Sequence, residues 1–556
     1  MTQHAIGDHA LLADGRTAAL IDPAGNVVWL CWPRFDSDPC LFALLDEQHG
    51  GVFAVRPADG RAAVLDRSYI EGTLVLRTTW RAGSSLLHVD DALRWDAGPQ
   101  LLRRLQADGG PVEVECRHRF AAANAPALRA PGDTHDEDGV SVSRVTVEPH
   151  APQLVVAGAT LDAGCDAVDA TAAMWRNLTA PARRAVTTEF ADSLLGAGAV
   201  RAALLTAATV LIGLRSRDDG MVAAPTTSLP QWPGTSRTWD YRYCWLRDTA
   251  LAGVAMCRLG LIDDAMSLGT FLGELARDGA PPTLVRIDGT AAPPELMRDD
   301  IAGYQGNGPV RIGNNAMRQV QLDVPGELVE LATTLGRHGE VPPALRDAVR
   351  HLAGWTAQHW REPDHGIWEI RGAPRHYSHS RVMAWFALDA TASMIDSGLV
   401  GGDAAGLRRE AEIVRAAVLH AAGDGPLQLH AQGDGADAAL SLLPLLGFAA
   451  PDDPLIQRTL DLIEQRLDHH GLLDRHEPEA DINDQACGPF LFPTFWMAAA
   501  AARCGRDPSR HLLAAMRACG PLGLFGEVAD PEDGAVLGNY PQAQSHAACV
   551  LALTPW

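Results

Sequence analysis

Two carboxylates in this sequence have neighbours that could set one as a proton donor and the other as a proton acceptor. In the stretch Asp364 to Trp385, DHGIWEIRGAPRHYSHSRVMAW, Glu369 stands directly between Trp368 and Ile370. Apolar neighbours desolvate a carboxyl and disfavour its charged form, which is the profile of a general acid at neutral pH. The alternative is a core Trp368 beside a solvated acid. Gly366, Gly372 and Pro374 interrupt helical periodicity, so Glu369 is expected on a loop ahead of a helix that opens with the apolar run Val382 to Leu388. The second carboxylate is Glu527, in Gly523 to His546, GLFGEVADPEDGAVLGNYPQAQSH. It precedes a Pro/Asp/Gly-rich loop and reads as the wetter group, one that stays ionised and can take a proton from water. Unequal surroundings are how an enzyme sets an acid against a base.

Two further stretches could hold a ligand. Trp239 to Asp248, WDYRYCWLRD, packs four aromatics, two Arg and two Asp into ten residues of a chain that is only 6% aromatic. Aromatic faces with convergent Arg and Asp suit a sugar, whose apolar face stacks while its hydroxyls are hydrogen-bonded. A charged helix start is the structural alternative. Gly303 to Asn315, GYQGNGPVRIGNN, has glycines that let backbone approach a ligand, with Tyr304, Arg311 and Asn314 as candidates to face it. Its spacing fits no phosphate-binding loop. His376 and His379 lie near Glu369 but lack the partners of a metal site, so they are read as pocket lining or loop hydrogen bonders. Asp364 and Glu362 are read as solvated.

Composition narrows the field. A net charge of -23 argues against nucleic acid, which draws its affinity from Lys and Arg on phosphates. The chain has no lysine, so all 46 basic residues are Arg, and Schiff-base chemistry, pyridoxal phosphate and the P-loop lysine are excluded. The ten Cys residues have no paired short spacing and read as reduced thiols without a zinc framework. No signal or transit pattern opens the sequence, and no apolar run reads as long enough to span a bilayer, so the expectation is a cytoplasmic protein without a membrane partner.

The elements that must position these residues change character along the 556-residue chain. Short apolar runs separated by turn pairs predict β structure from residue 1 to about 190, in the manner of a sandwich. Helical periodicity takes over from about Ala197, with some dozen helices in hairpins that can close into a ring.

Together with DGRTAALIDPAGNVVWLCWPRFDS near the N-terminus, these four stretches occur in the order found in the bacterial branch of glycoside hydrolase family 15, the glucoamylase-like and trehalase family, which the whole chain resembles. The resemblance implies an antiparallel β-sandwich over 1–195, a linker helix over 196–220 and an (α/α) six-hairpin barrel over 221–556. It implies an exo-acting, inverting α-glucoside hydrolase of the glucoamylase type, with trehalase as the alternative and a retired or redirected member as another. By motif, Glu369 falls on the general acid and Glu527 on the general base. Trp245, Arg247 and Asp248 fall on the grip for the terminal glucose, Tyr304 and Arg311 on the pocket wall, and Trp368 beside the acid. No cofactor or metal is implied; the partner is a small carbohydrate, and homo-oligomerisation is left open. Three departures put the substrate in question: Gln231 where relatives often have Glu, a shortened Pro-rich Gly289 to Asp300, and Ala486 to Phe492 in place of an acidic run.

Overall fold

The computed structural model describes residues 3–217, 220–431, 433, 435–478 and 487–556. Three antiparallel sheets occupy the first 158 residues, two of four strands and one of six. Period-two patterning explains them: along Val112–Arg119, Val112, Val114 and Cys116 are buried while Glu113 is exposed. Inward residues from all three sheets, Leu12, Phe53, Val89, Leu101 and Val155 among them, share one core.

Strand ends before residue 190, contrary to the sequence reading. The last strand is Gln153–Gly158, and helices α1 (Asp166–Thr179) and α2 (Glu189–Leu195) follow. In α1 the buried residues Ala167, Val168, Thr171, Ala172 and Trp175 recur at helical spacing, a stripe short enough to be taken for a strand.

Next comes α3 (Ala197–Leu214), then α4 (Leu246–Arg258), α5 (Ile262–Leu275), α6 (Val324–Arg337) and α7 (Pro343–His359). They are succeeded by α8 (Ser378–Asp396), α9 (Ala404–Ala422), α10 (Leu443–Leu446), α11 (Pro454–Leu467), α12 (Leu491–Arg503), α13 (Ser509–Arg517) and α14 (Ala543–Leu553). A 3-10 turn, Ala438–Leu442, runs straight into α10. Around an inner ring, α4 packs on α6, α6 on α8, α8 on the 438–442 turn, that turn on α12, α12 on α14, and α14 back on α4. Outside it, α3, α5, α7, α9, α11 and α13 pair with α14, α4, α6, α8, the 438–442 turn and α12. The chain therefore closes an (α/α) six-hairpin barrel.

Composition follows position. Inner helices touch neighbours on every side, and every residue of α14 is buried, as is Leu246 through Cys257 of α4. Outer α11 instead buries one stripe, Leu455, Ile456, Thr459, Leu460, Ile463 and Leu467. The Asp453 side chain caps α11 by accepting from Leu455 N, and Pro454 opens it, where a missing N–H costs nothing. Helix α3 is long and apolar enough by composition to cross a bilayer, which the sequence reading did not anticipate. In the fold it is a barrel helix packed on α14, with Ala207 to Leu214 fully enclosed.

The sheets and the barrel are bolted together close to the WDYRYCWLRD stretch. Arg242 Nη1 donates to Ser37 O (2.8 Å), Trp29 Nε1 to Pro225 O (2.8 Å), and the Tyr540 hydroxyl to His9 O (3.0 Å).

Candidate active site

Most of the pocket side chains expected from the sequence converge where the inner helices begin. Trp245, Arg247 and Asp248 open α4; Glu369 lies on the loop before α8; Phe490 and Phe492 open α12; Glu527, Gln542 and Gln544 precede or open α14. All of these line one cavity of about 280 Å³. Helix N-termini present unpaired N–H groups and positive dipole ends, which favours the carboxylates gathered there.

Glu369 sits at φ 55°, a left-handed conformation that non-glycine residues rarely adopt. Three donors converge on its Oε1: Trp245 Nε1 at 2.6 Å, Arg247 Nη2 at 3.2 Å and Gln321 Nε2 at 3.3 Å. Gln319 Nε2 holds its backbone carbonyl at 3.2 Å. Its side chain keeps 22% of its surface exposed. Trp368 lines the cavity but does not enclose Glu369. Its ring stacks on Phe492 with centroids 5.6 Å apart, and its Nε1 donates to Asp437 Oδ1 at 2.8 Å.

Glu527 is the more enclosed carboxylate, the reverse of the sequence reading, with 4% of its surface exposed. Burial pushes its pKa up to about 7, against the pull of hydrogen bonds from the Tyr241 hydroxyl to Oε1 (2.6 Å) and from Gln231 Nε2 to Oε2 (2.8 Å). The sequence reading weighed only chain neighbours. The Pro/Asp/Gly-rich loop after Glu527 is exposed, whereas Glu527 itself is covered by residues nearly 300 positions earlier. The two carboxylates are linked through Trp245 and Tyr241, whose rings meet edge-on with centroids 5.4 Å apart.

Arg247 is the hub of the floor. Burial would lower its pKa, but Asp248, Asp323 and Glu369 outweigh that and raise it, so the guanidinium is firmly charged. Its Nη1 donates to Gln321 Oε1 (2.7 Å), and its Nε lies 3.4 Å from Asp248 Oδ1. Burial raises Asp248 to about 6, with Arg247 opposing.

Tyr304 and Arg311 do not reach the cavity. The Tyr304 hydroxyl donates to His4 O (2.9 Å), tying its loop to the N-terminal segment. Arg311 stands behind the wall. Its guanidinium lies 4.4 Å from the Trp239 ring centroid, while Arg371 covers the same ring at 3.8 Å. Both Arg residues pair with Glu295, at 3.0 and 2.6 Å. The Pro-rich Gly289 to Asp300 segment thus supplies the acid that braces Trp239, which does line the cavity, as does Asn314.

His379 is buried within α8, its pKa lowered to about 3 by burial and by Arg247, and His376 is exposed; neither lines the cavity. Asp364 is buried, not solvated. Its Oδ2 accepts from Leu322 N, Gly366 N and Ser380 Oγ, at 3.0, 3.1 and 2.7 Å, and burial raises its pKa to about 7. Of the departure spanning Ala486 to Phe492, Ala486 lies outside the described residues; Phe490 and Phe492 give an apolar wall.

Sequence reasoning missed Tyr241, Trp239, Arg237, Arg371 and Arg475 as cavity residues. A signal existed for two of them. From 239 to 242 the chain is extended, so Trp239 and Tyr241 face the cavity while Asp240 and Arg242 turn away into a buried bidentate pair at 2.8–2.9 Å.

Comparison with known proteins agrees with this architecture. Residues 215–506 match the model for glycosyl hydrolases family 15, and residues 2–175 match the trehalase-like N-terminal family. A trehalase of Mycolicibacterium smegmatis is 31% identical, the alignment covering 99% of this chain and 90% of that protein. Trehalase 1 of Sulfolobus acidocaldarius is 30% identical over 98% of this chain and 97% of its own length. In fold the chain is similar to a bacterial glucoamylase solved with acarbose, at a TM-score of 0.68 and 12% identity, covering 99% of this chain and 95% of that one.

Proposed function

The chain belongs to glycosyl hydrolases family 15 and is a glycosidase, and from that premise we propose that it hydrolyses α,α-trehalose to two glucose molecules with inversion at the attacked carbon. The observation that carries this reading is the near end-to-end match to two trehalases, through both the sheets and the barrel. The cavity is compatible with it: at about 280 Å³ it lies just below the usual range of ligand sites, about 300 to 1,000 Å³, which suits a small saccharide.

In the proposed mechanism one glucose ring seats on Arg247 and Asp248. Glu369 donates a proton to the glycosidic oxygen as the bond to C1 breaks. All three donors to its side chain act on Oε1, which leaves Oε2 to carry that proton. Glu527 accepts a proton from a water that attacks C1 on the opposite face. An inverting pair needs its carboxyl groups about 6.5–9.5 Å apart to admit that water. The Trp245 and Tyr241 rings stand between the two, each hydrogen-bonded to one carboxylate.

This reading is tested by glucose release from α,α-trehalose, maltose, isomaltose and kojibiose. Trehalose is expected to have the highest kcat/KM, by about tenfold or more. Preference for maltose or isomaltose would make the enzyme a glucoamylase-type exo-hydrolase; hydrolysis of none would point to a redirected or retired site.

A further inference from the structure

We propose that Gln231 is a positioning residue that holds the Glu527 carboxylate in register for the attacking water, and that its neutral amide sets the lower pH limit of the reaction. The inference rests on reading Glu527 as the base. The two Glu527 oxygens are held separately, Oε1 by Tyr241 and Oε2 by Gln231 Nε2 at 2.8 Å. Because an ionised carboxylate only accepts, the amide must turn its N–H₂ toward it. Gln231 is 3% exposed, and its own N–H is tied to Arg237 O at 2.9 Å.

The backbone beside both residues is held as well. Gly538 N donates to Pro230 O at 2.8 Å, and Leu491 N donates to Glu527 O at 3.0 Å. Gly538 has φ 74°, and a Cβ there would lie 3.2 Å from both Glu527 Cβ and Oε2. A glycine at 538 therefore lets the chain close over the carboxylate without pushing it off the amide.

The residue type at 231 matters electrostatically. A Glu there would put a second carboxylate against Glu527 Oε2, and two carboxylates in contact share a proton, so Glu527 would spend more of the pH range protonated. The other groups facing Glu527 are Tyr241 and Arg237, Asp248 on α4, and Arg475 ahead of α12. Glu369 lies beyond Tyr241. Donation from Gln231 favours ionised Glu527, so its loss moves the carboxyl toward the protonated form and the acidic limb of the rate profile toward higher pH.

The test is kcat/KM for α,α-trehalose against pH in the wild type, Gln231→Met, Gln231→Glu and Glu527→Gln, with glucose affinity and thermal unfolding measured alongside. In Gln231→Met the acidic limb is expected to rise by about one pH unit, a roughly tenfold loss on that limb that fades toward alkaline pH. In Gln231→Glu the limb should rise further. A loss that is equal at every pH, or a limb unmoved in both variants, would overturn the inference. If Gln231→Met unfolds, the isosteric Gln231→Glu carries the test. Should Glu527→Gln keep most of its activity, it is the base assignment that fails, and Gln231 with it.

Discussion

Glu369→Gln is expected to lower turnover of α,α-trehalose by about 10²–10⁴-fold while leaving the fold intact, because a general acid acts only as charge develops on the leaving oxygen. The same variant should lose far less on α-glucosyl fluoride, whose leaving group needs little protonation. Glu527→Gln should be poor on both substrates, since each still requires a deprotonated water. Equal losses for Glu369→Gln on the two substrates would remove it from the acid role.

This experiment also addresses the electrostatics of the empty cavity. There Arg247 donates to Glu369, while burial raises Glu527 to about 7. We propose that a glucose ring seated on Arg247 and Asp248 competes for the guanidinium that here donates to Glu369. If Glu527→Gln, and not Glu369→Gln, were spared on the fluoride, the roles would have to be exchanged.

Arg247→Lys is expected to abolish most activity and most selectivity. The guanidinium of Arg247 is shared among Gln321, Asp248, Asp323 and Glu369, a planar fork that a single ammonium cannot reproduce. We propose that with Asp248 it brackets the 4- and 6-hydroxyls of a terminal glucose. A site built for those hydroxyls rejects a sugar that inverts one of them, because buried polar groups are left unpaired. In the wild type an α-galactoside should therefore be turned over worse than the matching α-glucoside by on the order of 10³-fold or more. In Arg247→Lys and Asp248→Asn the ratio should collapse toward unity, measured as kcat/KM on the paired 4-nitrophenyl glycosides. Full selectivity in both variants would place the clamp elsewhere.

Local patterning made the architecture legible. The period of two along Val112–Arg119 and the near-continuous apolar runs of α12 and α14 are properties of each segment by itself. The residues that the family resemblance groups by motif, Trp245, Arg247, Asp248, Trp368, Glu369 and Glu527, line one cavity. What could not be read was whatever depends on distant chain. Glu527 looked solvated because its cover, Gln231 and Tyr241, comes from the far end of the barrel sequence. Asp364 looked solvated because its donors at Leu322 and Ser380 come from neighbouring elements. Tyr304 and Arg311 sit on a stretch whose backbone reaches the site at Asn314 while their side chains brace other surfaces.

The most direct test of the account is the anomeric form of the glucose first released from α,α-trehalose, followed by proton NMR faster than mutarotation. Both C1 atoms of this substrate are α, and only one is attacked. Inversion by Glu369 and Glu527 therefore predicts equal initial amounts of α-glucose, from the leaving ring, and β-glucose, from the attacked one. Initial release of α-glucose alone would mean retention through a covalent intermediate and would contradict the account at its centre.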